Sequence, residues 1–315
     1  MTYVGRFAPS PSGHLHFGSL VAAVASYIDA KAHHGRWLVR IEDLDPPREM
    51  AGAATHILST LEYFNLHWDG EVIYQSQRQA SYQEALQRLR QQELIFYCHC
   101  SRQQLKQFSI YPGTCRKQQA LACQPAATRV RVNHAGIGFN DRILGWLHQC
   151  LTKEVGDFVV RRRDRLFSYQ LAVVVDDASQ DITHVVRGSD LFTSTTKQIY
   201  LQQCLGFRTP RYAHIPLIRN IKGQKLSKQN LTRGIDNNQA PELMTLALQR
   251  LGHSPPARLL GAGTRTLLDW AIQNWGMQHI PATMNDPEPY VDKDRESLIT
   301  HFQARSVNDK INIDF

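Results

Sequence analysis

Apolar and polar positions along the chain switch between two periods. "YVGRF" (3–7) and "RWLVRIE" (36–42) have the dense apolar character of strands, and "SLVAAVASYIDAKAHH" (19–34) between them reads as a helix. Strand, loop, helix and strand in that order predict an α/β fold built on a Rossmann-like, doubly wound parallel sheet. Further on, "LAVVVDD" (171–177) and "ITHVVRG" (182–188) are β-branched apolar runs that predict buried strands. "DLFTSTTKQIYLQQCLGF" then offers Ser and Thr caps and predicts a helix ending near Gly206. "HIPLIRN" (214–220) is strand-like again.

Between residues 96 and 155 the pattern loosens into cysteines, polar runs and "HAGIGFND", as expected of an insertion with its own small structure. Past residue 240 "PELMTLALQRLG" and "TRTLLDWAIQNWG" are amphipathic, and predict a small helical domain. Its tail, polar from about Asn285, is expected to hold little regular structure. The expected organisation is therefore 1–95 and 156–235 as the two halves of one α/β domain, 96–155 as an insertion, and 236–315 as the helical C-terminal domain.

Composition narrows the class. With 42% hydrophobic and 20% charged residues the chain reads as globular, and no run of about 18 apolar residues offers a membrane span. Met-Thr-Tyr-Val-Gly-Arg at the start lacks the basic-then-apolar pattern of a signal peptide, so a cytoplasmic protein without membrane partners is the expectation, and a monomer is expected as well. The balance of 36 basic against 28 acidic residues gives +8, which suits a polyanionic partner such as nucleic acid and equally an ordinary basic surface. Six cysteines in a reducing compartment are not a disulfide framework. Cys123, Cys150 and Cys204 are explained as small apolar side chains.

The chemistry begins at "RFAPSPSGHLHFGSL" (6–20), a loop between a strand and a helix. It matches neither the dinucleotide G-x-G-x-x-G nor the P-loop. A helix N-terminus nevertheless favours phosphate, Gly13 and Gly18 permit close approach, and His14 and His16 can donate to phosphate oxygens. A second loop, "KGQKLSKQN" (222–230), places Lys225 and Lys228 around Ser227, suited to neutralising a leaving pyrophosphate.

Together these loops resemble the two signatures of class I aminoacyl-tRNA synthetases. "GRFAPSPSGHLHFGS", "RIEDLDPPRE", "VVVDD", "VVRGSDL" and "KLSK" are similar, in order, to the catalytic core of glutamyl-tRNA synthetases over most of residues 3–235. Only residues 231–315 follow the lysine loop, too few for the anticodon-binding region of those enzymes. The chain is therefore expected to resemble the glutamyl-Q tRNA(Asp) synthetase family, whose members activate L-glutamate with ATP without needing tRNA and transfer it to queuosine in the anticodon loop of tRNA(Asp). A compact glutamyl-tRNA synthetase charging a tRNA 3′ end, or a non-catalytic tRNA-binding paralogue, are the alternatives. Ser19 departs from the class pattern, which has a second histidine there, and Gln229 ends the second signature with both lysines in place.

The resemblance implies roles residue by residue. His16, Gly18, Ser19, Lys225, Ser227 and Lys228 would hold ATP, with Mg²⁺ bound mainly by the nucleotide, and His16, Lys225 and Lys228 would act in the reaction. Arg6 and Phe7 at the end of the first strand, Ala8, Pro9 and Ser10 beyond it, Glu42 at the end of the second, Tyr169 and Arg187 would bind glutamate, the arginines through carboxylate pairing.

In "YCHCSRQQLKQFSIYPGTC" the thiols of Cys98, Cys100 and Cys115 suit a closed structural Zn²⁺ site. Ligand preference ranks Cys123 or His99 ahead of Tyr111 as the fourth donor. The Cys-x-Cys, Tyr-x-x-x-Cys pattern of glutamyl-Q synthetases implies Tyr111 instead.

Overall fold

The computed structural model describes residues 2–117, 125–133, 136–220, 222–224, 234–288 and 290. Strands β1 (Val4–Phe7), β2 (Arg36–Ile41) and β3 (Ile73–Tyr74) form a parallel sheet in the order β1-β2-β3. Strands β9 (His184–Gly188) and β10 (Arg211–Ile215) form a second parallel pair. The two pieces meet where the Thr183 amide donates to the Val4 carbonyl at 2.9 Å. Parallel strands need crossovers, and helix α1 (Phe17–Ala32) supplies the first, carrying the chain from β1 to β2.

Both faces of the sheet are covered. On one, α1 packs with α8 (Ala240–Arg250) and α9 (Thr264–Gln273), over Phe7, Trp37, Val39 and Ile41, so the helices expected after residue 236 close this face. On the other, α3 (Gln79–Gln91), α6 (Tyr169–Ser179) and α7 (Thr195–Leu205) pack over Val4 and Leu38. Helix α2 (Ala53–Tyr63) joins the first core through Ile57 and Leu61. Helix α7 stops at Gly206, as expected, because φ of 69° there is left-handed and favours glycine.

The strand expected at 171–177 is instead the body of α6. Leu171 to Asp177 are all buried, so this helix is covered on every side and a seven-residue window shows no helical period. Ser168 settles the matter locally by capping the helix, its hydroxyl accepting from the Leu171 amide at 3.4 Å. Tyr169 is consequently the first residue of a helix rather than the approach to a strand. The strand-like 214–220 also divides: β10 ends at Ile215, and Leu217 and Asn220 make only isolated parallel bridges to Asn285 and Tyr290.

Between the parallel pieces, β4 (Ile95–Cys98), β5 (Ala127–Val130) and β8 (Val159–Arg161) make an antiparallel sheet. "GIGFND" is the first strand of a hairpin, β6 (Gly136–Asp141) with β7 (Gly145–Cys150). Two single-turn helices, α4 (Arg102–Leu105) and α5 (Leu151–Glu154), complete this region. No helix among the described residues is long and apolar enough to cross a membrane.

Candidate active site and metal cluster

Strand alternation builds the floor of the site. Val4 and Leu38 face the α6 side of the sheet, so Arg6 and Arg40, two residues on, face it too. There they meet the acids of α6. Arg6 holds Asp177 through Nε at 3.3 Å and Nη2 at 3.5 Å, and Arg40 reaches the same carboxylate at 2.8 Å. Asp176 takes Arg78 at 2.5 Å, the Tyr82 hydroxyl at 2.7 Å and Gln75 at 2.8 Å. Burial would raise the Asp177 carboxyl, but the Arg6 and Arg40 guanidinium groups hold it below the usual carboxylate range.

Glu42 leaves the end of β2 beside this network, 3.5 Å from Arg40. Burial pushes its carboxyl up to about 7, against Arg40 and Arg6, and with Asp177 and Asp176 adding to the rise.

Above the floor lies a cavity of about 600 Å³ at the carboxyl ends of the parallel strands, where open α/β sheets bind ligands. It is lined by Arg6 and Phe7 at the end of β1, by Ala8, Pro9 and Ser10 after it, and at the mouth of α1 by His16, Gly18 and Ser19. Glu42, Tyr169 and Arg187 complete the wall. The structure thus gathers at one cavity every expected site residue outside the metal cluster except Lys225, Ser227 and Lys228, which lie outside the described residues. A second cavity of about 430 Å³ adjoins it and shares Ser10, Ser12, Glu42, Arg48 and Tyr169.

The loop after β1 is fixed by main-chain bonds: the Glu42 amide donates to Pro9 and the Met50 amide to Pro11, each at 2.9 Å. His16 caps α1. Its Nδ1 accepts from the Ser19 amide at 3.2 Å, so Nε2 carries the proton and donates to the Ser19 hydroxyl at 3.0 Å. A Cβ on Gly18 would stand 3.3 Å from that ring, so glycine is what lets the first turn close against it. His14 does not line the cavity; it stacks on His56 with ring centroids 3.7 Å apart.

Arg6 is buried at 4% exposure, with Asp177 taking Nε and Nη2 and leaving the Nη1 donors for another acceptor. Tyr169 is half-buried, and desolvation raises its phenol, so its hydroxyl is protonated at neutral pH. Arg187 donates from Nε to His214 at 3.0 Å and from Nη2 to Thr195 at 2.8 Å, while its buried Nη1 has no partner.

The sequence reading missed Arg40, Asp177 and His214. Arg40 had a legible signal, a charge inside the apolar run Trp37–Ile41, whereas Asp177 sat in the segment read as a strand. The cavity floor is rigid, charged and anchored from three elements, and presents guanidinium donors beside a carboxylate. It can bind a small zwitterion with an extra carboxylate.

In the antiparallel region the Sγ atoms of Cys98, Cys100 and Cys115 lie within 4.8 Å of one another and could hold a metal ion. Cys100 and Cys115 are 3.6 Å apart, too far for a disulfide and close to the edge of about 3.8 Å of a tetrahedron with metal–sulfur bonds of about 2.3 Å. The Tyr111 hydroxyl stands 3.5 Å from Cys98 Sγ and accepts from the Cys115 amide at 2.8 Å. Burial first, then the neighbouring thiols, push the Cys100 thiol up to about 11, so three thiolates need a cation to share this space. His99 does not join the group, and Cys123 lies outside the described residues.

Comparison with known proteins agrees with this architecture. The family profile "tRNA synthetases class I (E and Q), catalytic domain" matches residues 3–259. A glutamyl-Q tRNA(Asp) synthetase of Pseudomonas fluorescens is 52% identical over 288 residues, covering 91% of this chain and 96% of its own. One of Neisseria meningitidis is 50% identical over 295 residues, covering 89% and 97%. Among solved structures, a glutamate-tRNA synthetase of Elizabethkingia anophelis shares the fold with a TM-score of 0.80 at 20% identity, over 98% of this chain and 71% of that one. The chain belongs to the class I tRNA synthetases for E and Q, and within them to the family whose curated members are named glutamyl-Q tRNA(Asp) synthetase.

Proposed function

We propose that this enzyme activates L-glutamate with ATP and transfers the glutamyl group to queuosine in the anticodon loop of tRNA(Asp). The single observation that carries the amino-acid half is the convergence of Arg6, Glu42, Tyr169 and Arg187 on one cavity at the strand ends. The relatives' printed name supplies the acceptor.

In the first step the glutamate α-carboxylate, already ionised, attacks the α-phosphate of ATP and pyrophosphate leaves, so no general base is needed. The protein aligns and neutralises. The α1 mouth, with His16, Gly18 and Ser19, receives the nucleotide; Lys225 and Lys228, with Ser227 between them, accompany the pyrophosphate; Mg²⁺ travels mainly with the nucleotide. Arg187 and Arg6 pair with carboxylate, Glu42 accepts from the α-ammonium, the Tyr169 hydroxyl orients the amino acid, and Phe7 to Ser10 form its wall. In the second step a queuosine hydroxyl attacks the glutamyl carbonyl, its proton passing to the phosphate of the leaving AMP. The adjoining cavity of about 430 Å³ is the space in which the acceptor nucleoside meets the adenylate.

Glutamate-dependent ATP–pyrophosphate exchange tests the first step. Exchange without any tRNA is expected; exchange only with tRNA(Glu) would transfer the case to a compact glutamyl-tRNA synthetase, and none at all to a non-catalytic paralogue.

Glu42 predicts a pH dependence. Its carboxylate must be ionised to hold the ammonium, so the glutamate KM should rise as pH falls below about 7, approaching tenfold per pH unit. In the free protein the sign on stability is opposite. Between about 4.5 and 7 the folded chain keeps a proton that the unfolded chain has lost, so this group's contribution weakens as pH rises. A glutamate KM flat from pH 8 to pH 6 would remove Glu42 from the ammonium site.

The metal cluster is read as one structural Zn²⁺ held by Cys98, Cys100, Cys115 and the Tyr111 phenolate. Zinc there staples the chain, with no open position for chemistry. Protein purified without chelator should contain about one zinc per chain, and Cys98→Ser should lose the metal and lower the melting midpoint. A zinc content near zero would contradict the assignment.

A further inference from the structure

Arg187 and His214 face each other across the parallel pair, adjacent in register on β9 and β10. The third member comes from elsewhere in the chain: Asp141 ends β6, in the hairpin between the two parallel pieces. All three are buried, with His214 at 0% and Asp141 at 2% exposure.

The Arg187 guanidinium sets the hydrogen-bond roles. A guanidinium has no acceptor and keeps its protons, so the contact from Arg187 Nε to His214 Nε2 at 3.0 Å requires Nε2 to be bare. The ring proton is then on Nδ1, which donates to Asp141 Oδ2 at 2.6 Å. The other oxygen of Asp141 is occupied differently, accepting the amides of Ile143 at 3.0 Å, Leu144 at 2.9 Å and His214 at 3.1 Å. On its far side Arg187 Nη2 donates to Thr195 Oγ1, whose own proton has two acceptors in reach, the Leu191 carbonyl at 3.1 Å and the bare His214 Nε2 at 3.2 Å. Two of the three guanidinium nitrogens are thus held, and the buried third, Nη1, has no partner on a residue that lines the cavity.

We propose that Asp141 and His214 are positioning residues for substrate binding: Asp141 sets the His214 tautomer, and the bare Nε2 fixes Arg187 so that Nη1 is left for a carboxylate of the amino acid. This rests on the reading that Arg187 binds glutamate. Burial, helped by Arg187 and opposed by Asp141, lowers His214 to about 4, so the ring stays neutral across the working range. A proton on Nε2 would confront the Nε–H of Arg187 and dislodge the guanidinium.

Asp141→Asn isolates the claim. The asparagine oxygen can keep the three amides, while its NH₂ faces Nδ1 and drives the ring proton to Nε2, the wrong-tautomer effect known from carboxylate–histidine pairs. Expected in pyrophosphate exchange is a rise of about tenfold or more in glutamate KM, with ATP KM and the melting midpoint near wild type. A glutamate KM within about twofold of wild type, or equal rises for glutamate and ATP, overturns the proposal.

Arg187→Ala separates the layers. If it leaves glutamate KM unchanged, the underlying assignment of Arg187 fails, and the proposal with it; if it raises glutamate KM while Asp141→Asn does not, only the relay fails. Nitrogen-15 shifts of His214 in the wild-type protein decide the tautomer without any variant. A neutral ring protonated at Nδ1 is expected, and a proton on Nε2 overturns the proposal.

Discussion

Asp177→Ala should give the largest loss of stability of any substitution near the site. The change leaves the Arg6 and Arg40 guanidinium groups buried, at 4% and 0% exposure, without their shared carboxylate. Arg40 retains Gln180 at 2.7 Å and more distant contacts to Glu42 at 3.5 Å and Asp176 at 3.9 Å, none of which satisfies Arg6. Removing one partner of a buried ion pair costs about 3–5 kcal/mol, which in a chain of this size lowers the melting midpoint by on the order of 5–10 °C. Because Asp177 is held below the usual carboxylate range, its contribution is present above the unfolded pKa and is lost as pH falls through the folded one. The difference between wild type and variant should therefore shrink in acid. A midpoint within about 2 °C of wild type at neutral pH would show that the network is not what holds the floor of the cavity.

Lys228→Ala is expected to give the largest loss of turnover, about 10²-fold in glutamate activation, with glutamate KM little changed. The reason is differential: charge accumulates on the departing pyrophosphate in the transition state, and a cation that meets it only then changes kcat rather than binding. The comparison with Lys225→Ala tells which of the two lysines acts on the leaving group. Unchanged kcat in Lys228→Ala would take that residue out of the reaction.

How much of this was legible in the sequence depends on range. β1, α1 and β2 were readable because a local pattern dictates them: short apolar runs flanking a long apolar helix, with a glycine-bearing loop between. The loop residues from Arg6 to Ser19 and the acid at Glu42 could be placed at strand ends for the same reason. Helix α6 could not, because burial on all sides erases the periodicity that separates a helix from a strand, and only Ser168 at its start carries the distinguishing signal.

The pairing of Arg6 and Arg40 with Asp177 joins residues more than a hundred positions apart. It is decided by which face of the sheet α6 covers, a tertiary fact. His16 shows a subtler limit. Its place before an apolar helix was evident, but its service as the cap of that helix depends on the backbone geometry of the loop. Tyr111 is the opposite case: ligand chemistry ranks it last as a metal donor, yet its hydroxyl stands beside Cys98 and over the Cys115 amide.

The central claim is the acceptor. Purified enzyme, ATP and radiolabelled glutamate should label tRNA(Asp) that carries queuosine and leave tRNA(Asp) with unmodified guanosine at that position unlabelled. The label should also survive removal of the 3′-terminal nucleotide. Labelling that disappears with that nucleotide, or that is equal with and without queuosine, would contradict the account.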